Sequence, residues 1–318
     1  MENKTVSALF VGLGSIGTRH LNSLTALCAE QGLTLKAHAL RSNLVRPLRE
    51  HVAEKLDAQF ISMEDEDALP HYDMAFITNP TSLHATALRQ LKGRADALFI
   101  EKPIVSADEV DVDMDALLPP GQKAYVAAPM RWCGTFLALK KLMPTLKPYS
   151  ARVICSSYLP DWRPGVDYRK VYSAHKEMGG GVTIDLIHEW DYMVDLFGKP
   201  EETFNFKGTY SDLEIDSDDL SVYIARYKDM LAEIHLDYFG RSYRRSIELF
   251  CQDGTVTADF GEGTLTLADG TVEYYQEPVN QRYLREMEYF VDYVRNGAGE
   301  SINSPQMALD VLKLTLGE

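Results

Sequence analysis

A chain of 318 residues, 45% of them hydrophobic and 25% charged, has the composition of an ordinary folded protein and is long enough for two cores at roughly 150 residues per domain. Its formal net charge of −15 argues against non-specific nucleic-acid binding, which needs basic patches to displace counterions. No apolar run approaches the roughly 18 residues of a spanning helix, and no basic segment followed by an apolar stretch and a cleavage site opens the sequence, so a cytoplasmic location is expected.

The stretch from Val6 to His20, VSALFVGLGSIGTRH, reads as a strand, a glycine turn and the start of a helix. In that order Gly12, Gly14 and Gly17 satisfy the dinucleotide-binding fingerprint. Gly12 allows the tight turn, Gly14 lets a pyrophosphate approach the backbone, and Gly17 lets the helix pack on the strand. With Ser15 and Ile16, these residues form the expected phosphate cradle at a helix N-terminus. A glycine-rich turn without a ligand is the plainer alternative.

A second strand is expected over Leu35–Leu40, ending in Arg41-Ser42-Asn43. An NAD-selective site places an acid there for the ribose 2′-hydroxyl, but Leu33 to Arg49 holds none. Arg41 and Ser42 suit a 2′-phosphate, which favours NADP with NAD as the alternative, unless Arg41 is only a loop arginine. Strands at Ala58–Ile61 and Met74–Thr78 follow, the latter leading into Asn79-Pro80-Thr81-Ser82-Leu83-His84, where Thr81 or Ser82 is placed to cap a helix. Asn79 and Pro80 are assigned to the cofactor edge. His84 either joins them or is a helix-start histidine bonded to backbone. The strand Ala97–Ile100 runs into Glu101-Lys102-Pro103, where the proline keeps Lys102 out of a helix. Strands alternating with helices to this point indicate a doubly wound parallel sheet, a Rossmann domain over residues 1–125 that closes with a strand near Tyr125–Ala127.

From residue 126 to 318 the pattern changes to a substrate-binding and oligomerisation domain of α+β type. A helix is expected over Thr135–Met143. Strand-like runs follow at Ala151–Tyr158, Thr203–Tyr210, Asp219–Arg226, Met230–Tyr238, Ser246–Cys251 and Thr264–Ala268, which predict a large open, mostly antiparallel sheet. Helices are expected over Tyr283–Asn296 and Gln306–Leu316. The acidic runs Glu64–Asp67 and Asp212–Asp219 are expected on solvated loops. Cys28, Cys133, Cys155 and Cys251 are far apart and lack metal-ligand spacing, so free buried thiols and no metal site are expected.

Reactive residues concentrate again at Gly179–Gly181 and the following TIDLIHEWD. The glycines permit close approach to a ligand. Leu186, Trp190, Met193, Val194 and Phe197 recur at helical spacing from Thr183, which puts Asp185 and His188 three apart on one face. That pair is either an oriented acid/base or a helix-start acid beside a satisfied ring.

Together GLGSIGTRH, TNPTSLH, the EKP of Glu101–Pro103 and the glycine-led D-x-x-H-E-x-D resemble the Gfo/Idh/MocA family, the glucose–fructose oxidoreductase and inositol dehydrogenase group, over nearly the whole chain. The stretch Tyr158 to Val182 looks like its branch associated with bacterial surface-sugar and sugar-nucleotide genes. The resemblance implies an NAD(P)-dependent oxidoreductase acting on a carbinol or carbonyl carbon of a sugar, sugar-nucleotide or polyol. It places Lys102 by nicotinamide and substrate, Asp185 in the substrate pocket, and His188 as acid/base. Many members have three residues between that aspartate and histidine, whereas only Leu186 and Ile187 intervene here. The resemblance also implies a homodimer or homotetramer through the open sheet and a final helix returning to the first domain. Arg131, Trp162, Arg163, Tyr168, Arg169 and Tyr172 are candidate substrate contacts, with ordinary loop packing equally open for the loop residues. A non-catalytic nucleotide-sensing or scaffold protein, or a reductase of an imine or conjugated C=C, is the competing function.

Overall fold

The computed structural model describes residues 5–45, 47–61 and 68–318; the acidic run Glu64–Asp67 lies outside them. The chain divides into two units, one of residues 1–127 with 283–309 and one of residues 128–282 with 310–318.

The first unit is built on a six-stranded sheet of β1 (Thr5–Val11), β2 (Thr34–Arg41), β3 (Ala58–Ile61), β4 (Tyr72–Ile77), β5 (Ala95–Ile100) and β6 (Lys123–Val126), in the order β3-β2-β1-β4-β5-β6. Every pairing is parallel. The helices α1 (Ser15–Glu30), α2 (Glu50–Ala53), α3 (His84–Gln90) and α4 (Met114–Leu117) lie in the connections. The inner strands are apolar at nearly every position, as strands covered on both faces must be. Phe10 and Phe76 stack at 4.6 Å, Phe76 and Phe99 at 5.4 Å, and Phe290 meets Phe99 edge-on at 5.2 Å. The chain order reverses between β1 and β4, and at such a switch point the carboxyl ends of the strands leave a crevice.

The second unit carries α5 (Gly134–Leu142), α6 (Val182–Asp185) and α7 (His188–Phe197). Its sheet contains β7 (Pro148–Tyr158), β8 (Glu202–Gly208), β9 (Leu220–Arg226), β10 (Leu231–Asp237), β11 (Phe239–Cys251), β12 (Gly254–Asp259), β13 (Thr264–Thr266) and β14 (Val272–Tyr274). The order is β14-β13-β12-β11-β7-β10-β9-β8, antiparallel except for the β7–β10 pair. The short strands β12 and β14 escape the sequence pattern, although Asp253-Gly254 and Asp269-Gly270 mark turns beside them. Alternation sends Val153, Cys155, Ile234, Leu236, Ile247 and Leu249 to the buried face, with Trp190 of α7 edge-on to Tyr223 at 5.3 Å. The other face shows Phe204, Phe206 and Ile224, 58%, 75% and 37% exposed.

The last helices are α8 (Asn280–Asn296) and α9 (Pro305–Leu316); the division between units falls within α9, after Leu309. The acidic run at Asp212–Asp219 is not wholly solvated. Asp219 is fully buried and accepts from the N–H groups of Tyr210 and Ser211, while Asp218 accepts from the N–H of Thr183.

Candidate active site

In the first unit the turn after β1 shows what each glycine does. Gly12 has φ +82, and a Cβ there would lie 2.9 Å from Asn79 Cα. A Cβ on Gly17 would lie 2.6 Å from both Gly12 O and Thr78 Oγ1. Those two glycines are demanded by the chain's own packing. Gly14 differs, because a Cβ there would meet nothing within 4 Å. Gly14 and Ser15 are exposed at the start of α1, Ile16 is half-buried, and the first turn of α1 carries no acid. The open space lies at the positive end of a 16-residue helix, where an anion is favoured.

The neighbouring strand ends converge on this turn. The Gly12 N–H donates to Leu40 O at 2.9 Å, which sets the end of β2 and Arg41 beside the glycines. Arg41 is half-buried and donates to Gln59 at 3.0 Å, while Ser42 is exposed. Thr78 Oγ1 donates to Gly12 O at 2.6 Å and ties in the end of β4. Asn79 donates to Leu83 O at 3.2 Å, its Oδ1 is buried without a hydrogen-bond partner, and Pro80 is exposed. A single 3-10 turn, Thr81–Leu83, precedes α3, and neither Thr81 nor Ser82 caps it.

His84 takes the second of its two sequence readings. It is 1% exposed, with Nδ1 3.0 Å from Pro103 O and Nε2 3.1 Å from Asn79 O. The ring thus ties the loop after β5 to the loop after β4 and does not face a ligand. Burial lowers its pKa against the opposing pull of the carbonyls and Glu101. Lys102 follows Glu101 at the end of β5, before a cis bond to Pro103.

Glu101 is held from within the protein. Its Oε1 lies 2.6 Å from Nε2 of fully buried His20, and its Oε2 accepts from the Lys102 N–H at 3.2 Å. Burial acts to raise the Glu101 pKa, and the bond and charge of His20 together with Lys102 outweigh it, so the carboxyl titrates below the usual range. Sequence reasoning quoted His20 only as the end of the glycine motif and gave it no role. Its partner is 81 residues away, and no local spacing signals the contact.

In the second unit the expected continuous helix from Thr183 is broken. α6 ends at Asp185, Leu186 turns with φ −99 and ψ 30, and α7 starts at His188. The three glycines before it also differ from expectation. A Cβ on Gly180 would overlap Tyr172 O at 2.0 Å, and one on Gly181 would lie 2.4 Å from Asp218 Oδ1. Those two make room for the chain itself, not for a ligand.

Asp185 is 7% exposed, and its carboxylate is held by phenols. Tyr172 donates to Oδ1 at 2.8 Å and Tyr238 to Oδ2 at 2.6 Å. Burial, and after it the Asp185 charge, raise both phenol pKa values, so both hydroxyls stay donors. Tyr238, 53 residues from Asp185, was missed by sequence reasoning. Trp162 lies edge-on to Tyr238 at 5.2 Å and donates to Ser157 Oγ at 3.1 Å. Trp162, Tyr172 and Asp185 are therefore gathered in one place, and half-buried His188 opens the next helix.

Two expected substrate contacts have other work. Arg131 is 2% exposed, with its guanidinium forked on Asp191 at 2.9 and 2.7 Å and a further bond to Asp195 at 3.2 Å. It anchors α7. Arg169 is exposed but engaged with Asp167 at 2.9 Å and Glu214 at 3.0 Å, and Tyr168 accepts from the Glu214 N–H at 3.3 Å.

Comparison with known proteins finds a family match within each of the two units. Residues 6–117 match the profile described as the oxidoreductase family with NAD-binding Rossmann fold, and residues 147–257 match the GFO/IDH/MocA C-terminal domain. The inositol 2-dehydrogenase of Rhizobium meliloti is 23% identical over 313 residues, covering 92% of this chain and 90% of that protein. Among solved structures, a levoglucosan dehydrogenase in complex with NADH and levoglucosan superposes with TM-score 0.80 at 17% identity, covering 98% of this chain and 96% of that one. The WlbA dehydrogenase of Bordetella pertussis, in complex with NADH and UDP-GlcNAcA, gives 0.74 at 18% identity over 98% and 95%. At such identities these structures establish a shared fold.

Proposed function

The chain belongs to the Gfo/Idh/MocA family of oxidoreductases with an NAD-binding Rossmann fold, and from that premise we propose that it oxidises or reduces a carbinol or carbonyl carbon of a sugar, sugar nucleotide or polyol. The observation that carries the reading is Gly14. Gly12 and Gly17 are required by the fold, whereas no described residue fills the space beside Gly14. A dinucleotide pyrophosphate fits that cradle. The relatives' substrates support the class, since inositol, levoglucosan and an acidic sugar nucleotide all carry ring hydroxyls.

Nicotinamide, when bound, supplies the hydride donor or acceptor. Gly14, Ser15 and Ile16 hold the pyrophosphate on the α1 N-terminus, and Asn79 lines the same edge. Arg41 and Ser42 take a 2′-phosphate, which makes NADP the preferred cofactor. His188 exchanges the proton of the reacting hydroxyl, because imidazole is the side chain whose unperturbed pKa lies near neutrality. Lys102 stabilises negative charge on that oxygen, with Glu101 and His20 fixing the backbone that bears it. Asp185 accepts hydrogen bonds from two phenols and positions sugar hydroxyls.

The enzyme is further proposed to work in the cytoplasm as a homodimer or homotetramer, with Phe204, Phe206 and Ile224 of the open face covered by a second copy. Light scattering tests the assembly. For the activity, nicotinamide absorbance is followed with a panel of sugars, polyols and sugar nucleotides and both cofactors. Turnover with NADP exceeding that with NAD, and lost selectively in Arg41→Ala, is the expected result; equal or better use of NAD rejects the 2′-phosphate assignment.

A further inference from the structure

We infer that the second unit holds a ligand site apart from the Asp185 cluster, a cavity at the other end of its sheet that takes an anion with an apolar aryl or alkyl body. The inference goes beyond the oxidoreductase reading and does not depend on it.

The cavity arises where three connections meet at one end of the sheet. Helix α5 ends at Leu142, and a 3-10 turn, Met143–Thr145, carries the chain toward β7, because Pro144 has no N–H to extend an α-helical ladder. Helix α7 ends at Phe197, where Gly198 with φ +74 turns the chain toward β8. The turn between β9 and β10 is closed by the Tyr227 N–H donating to Met230 O at 2.9 Å. Alternation then decides which side chains face the helices. Tyr223 and Ala225 are buried on one side of β9, and Ala232 and Ile234 on the same side of β10, so Tyr227 and Met230 continue that face beyond the strand ends. The Tyr227 ring lies 5.9 Å from that of Phe197.

Met143, Leu146, Pro148, Phe197, Tyr227 and Met230 line a cavity of about 760 Å³. That lies within the roughly 300–1,000 Å³ of small-molecule sites, whose walls are mostly apolar with a few polar groups. Tyr227 is 8% exposed, and its hydroxyl is buried without a hydrogen-bond partner among the described residues. Burial raises its pKa, so the phenol stays protonated. Buried hydroxyls are nearly always bonded, and an orphan on a lining residue points to a partner from outside the chain.

The rim sets the sign of the ligand. Lys147, Lys199 and Lys228 line the cavity together with Glu201 and Asp229. Lys199 is paired with Asp310, and Glu201 with Arg226 at 2.7 Å. Those pairs cancel, which leaves Lys147 and Lys228, both exposed, against Asp229 alone. In a chain of formal net charge −15, a positive excess around an apolar cavity favours an anionic head group at that point. The Asp185 cluster is elsewhere, at the other end of β10, where Tyr238 donates to it. It lies past the break in register at which β11 pairs Phe239 with Tyr158 and resumes with Arg244 opposite Ser156. From Met230 to Tyr238 the extended chain runs about 26 Å, so one small ligand does not span both.

The test is calorimetry on the full-length protein with 3-phenylpropanoate, its neutral amide and acetate as probes. 3-Phenylpropanoate is expected to bind about three- to tenfold more tightly than the amide, the scale of two exposed charge pairs. Acetate binds more weakly than either, because it buries almost no apolar area. The double variant Lys147→Glu, Lys228→Glu removes the preference for the anion and leaves the amide bound as before. Leu146→Trp, which fills the cavity, abolishes binding of both the acid and the amide; should that variant fail to fold, the lysine pair at its two exposed positions still decides. Saturating NAD or NADP leaves the wild-type affinity unchanged, and the preference falls with added salt. Equal binding of acid and amide by the wild type, a preference that survives in the lysine variant, or displacement of the probe by the dinucleotide overturns the site. A changed molecular mass of the lysine variant on light scattering also overturns it, by placing the cavity in a subunit interface. Failure of nicotinamide turnover with every sugar leaves this result standing.

Discussion

The carboxyl edge of the six-stranded parallel sheet and the surroundings of Asp185 are built by different means. Along the parallel edge, backbone groups do the positioning: Gly12 N–H bonds to Leu40 O, Thr78 to Gly12 O, and His84 to the carbonyls of Asn79 and Pro103. Around Asp185, side chains from α6, β10's end and the loop before the glycines meet each other, with two phenols on one carboxylate. The first arrangement depends on backbone carbonyls and N–H groups held at fixed places, with Gly12 and Gly17 leaving no room for a side chain. The second depends on the identity of its side chains, since either phenol lost leaves an oxygen of buried Asp185 without that donor.

Chemistry gives the largest expected separation. His188→Asn should lower turnover by about 10²- to 10⁴-fold with cofactor affinity nearly unchanged, and Lys102→Ala by about 10²-fold with the fold intact. The pH–rate profile and circular dichroism of each variant decide. A folded His188→Asn protein that keeps the near-neutral limb would remove the proposed acid/base. Next comes the support beneath α7. Arg131→Ala leaves buried Asp191 without its cation, while Asp195 keeps Lys140, and should destabilise by about 3–5 kcal/mol in denaturant unfolding. A loss below about 1 kcal/mol would match a surface pair instead.

The glycines sharpen the contrast within one turn. Gly12→Ala forces a Cβ onto a backbone with φ +82 against Asn79, and should cost about 1–3 kcal/mol of stability. Gly14→Ala should leave the melting temperature near the wild-type value while weakening dinucleotide binding, as titrated by fluorescence. Equal effects of the two on stability would contradict the open cradle. The smallest effect concerns Glu101. Its pKa is lowered in the folded state, so its contribution is complete above the ordinary glutamate range and is lost as pH falls through that range to the lowered value. Melting temperatures measured across that acid window should fall less steeply for Glu101→Gln than for the wild type.

The same contrast governs what can be read from the letters alone. The glycine turn, the Arg41 position and Glu101-Lys102-Pro103 are legible because each depends on a strand end and the few residues after it. Asp185 and His188 are legible as candidates, but their setting is not. The periodicity from Leu186 to Phe197 records which side is buried and says nothing of whether the i→i−4 ladder continues through Leu186 and Ile187. Tyr238 and His20 reach their carboxylates across 53 and 81 residues, and only tertiary packing brings them there. Arg131 shows the converse. An arginine near a strand end reads as a ligand contact until Asp191 and Asp195 are seen to enclose it.

The break between β7 and β11 separates two kinds of change. From Phe239 to Arg244 one strand advances five residues while the other advances two. In a regular ladder a one-residue insertion would turn Ile247 and Leu249 outward and expose the face on which the unit is packed. Here Asp237 and Gly240 fix the entry, and the pairing from Arg244 to Cys251 restarts on its own terms. The segment between can gain or lose a residue without the core noticing, so its length is free to vary independently of the packed face.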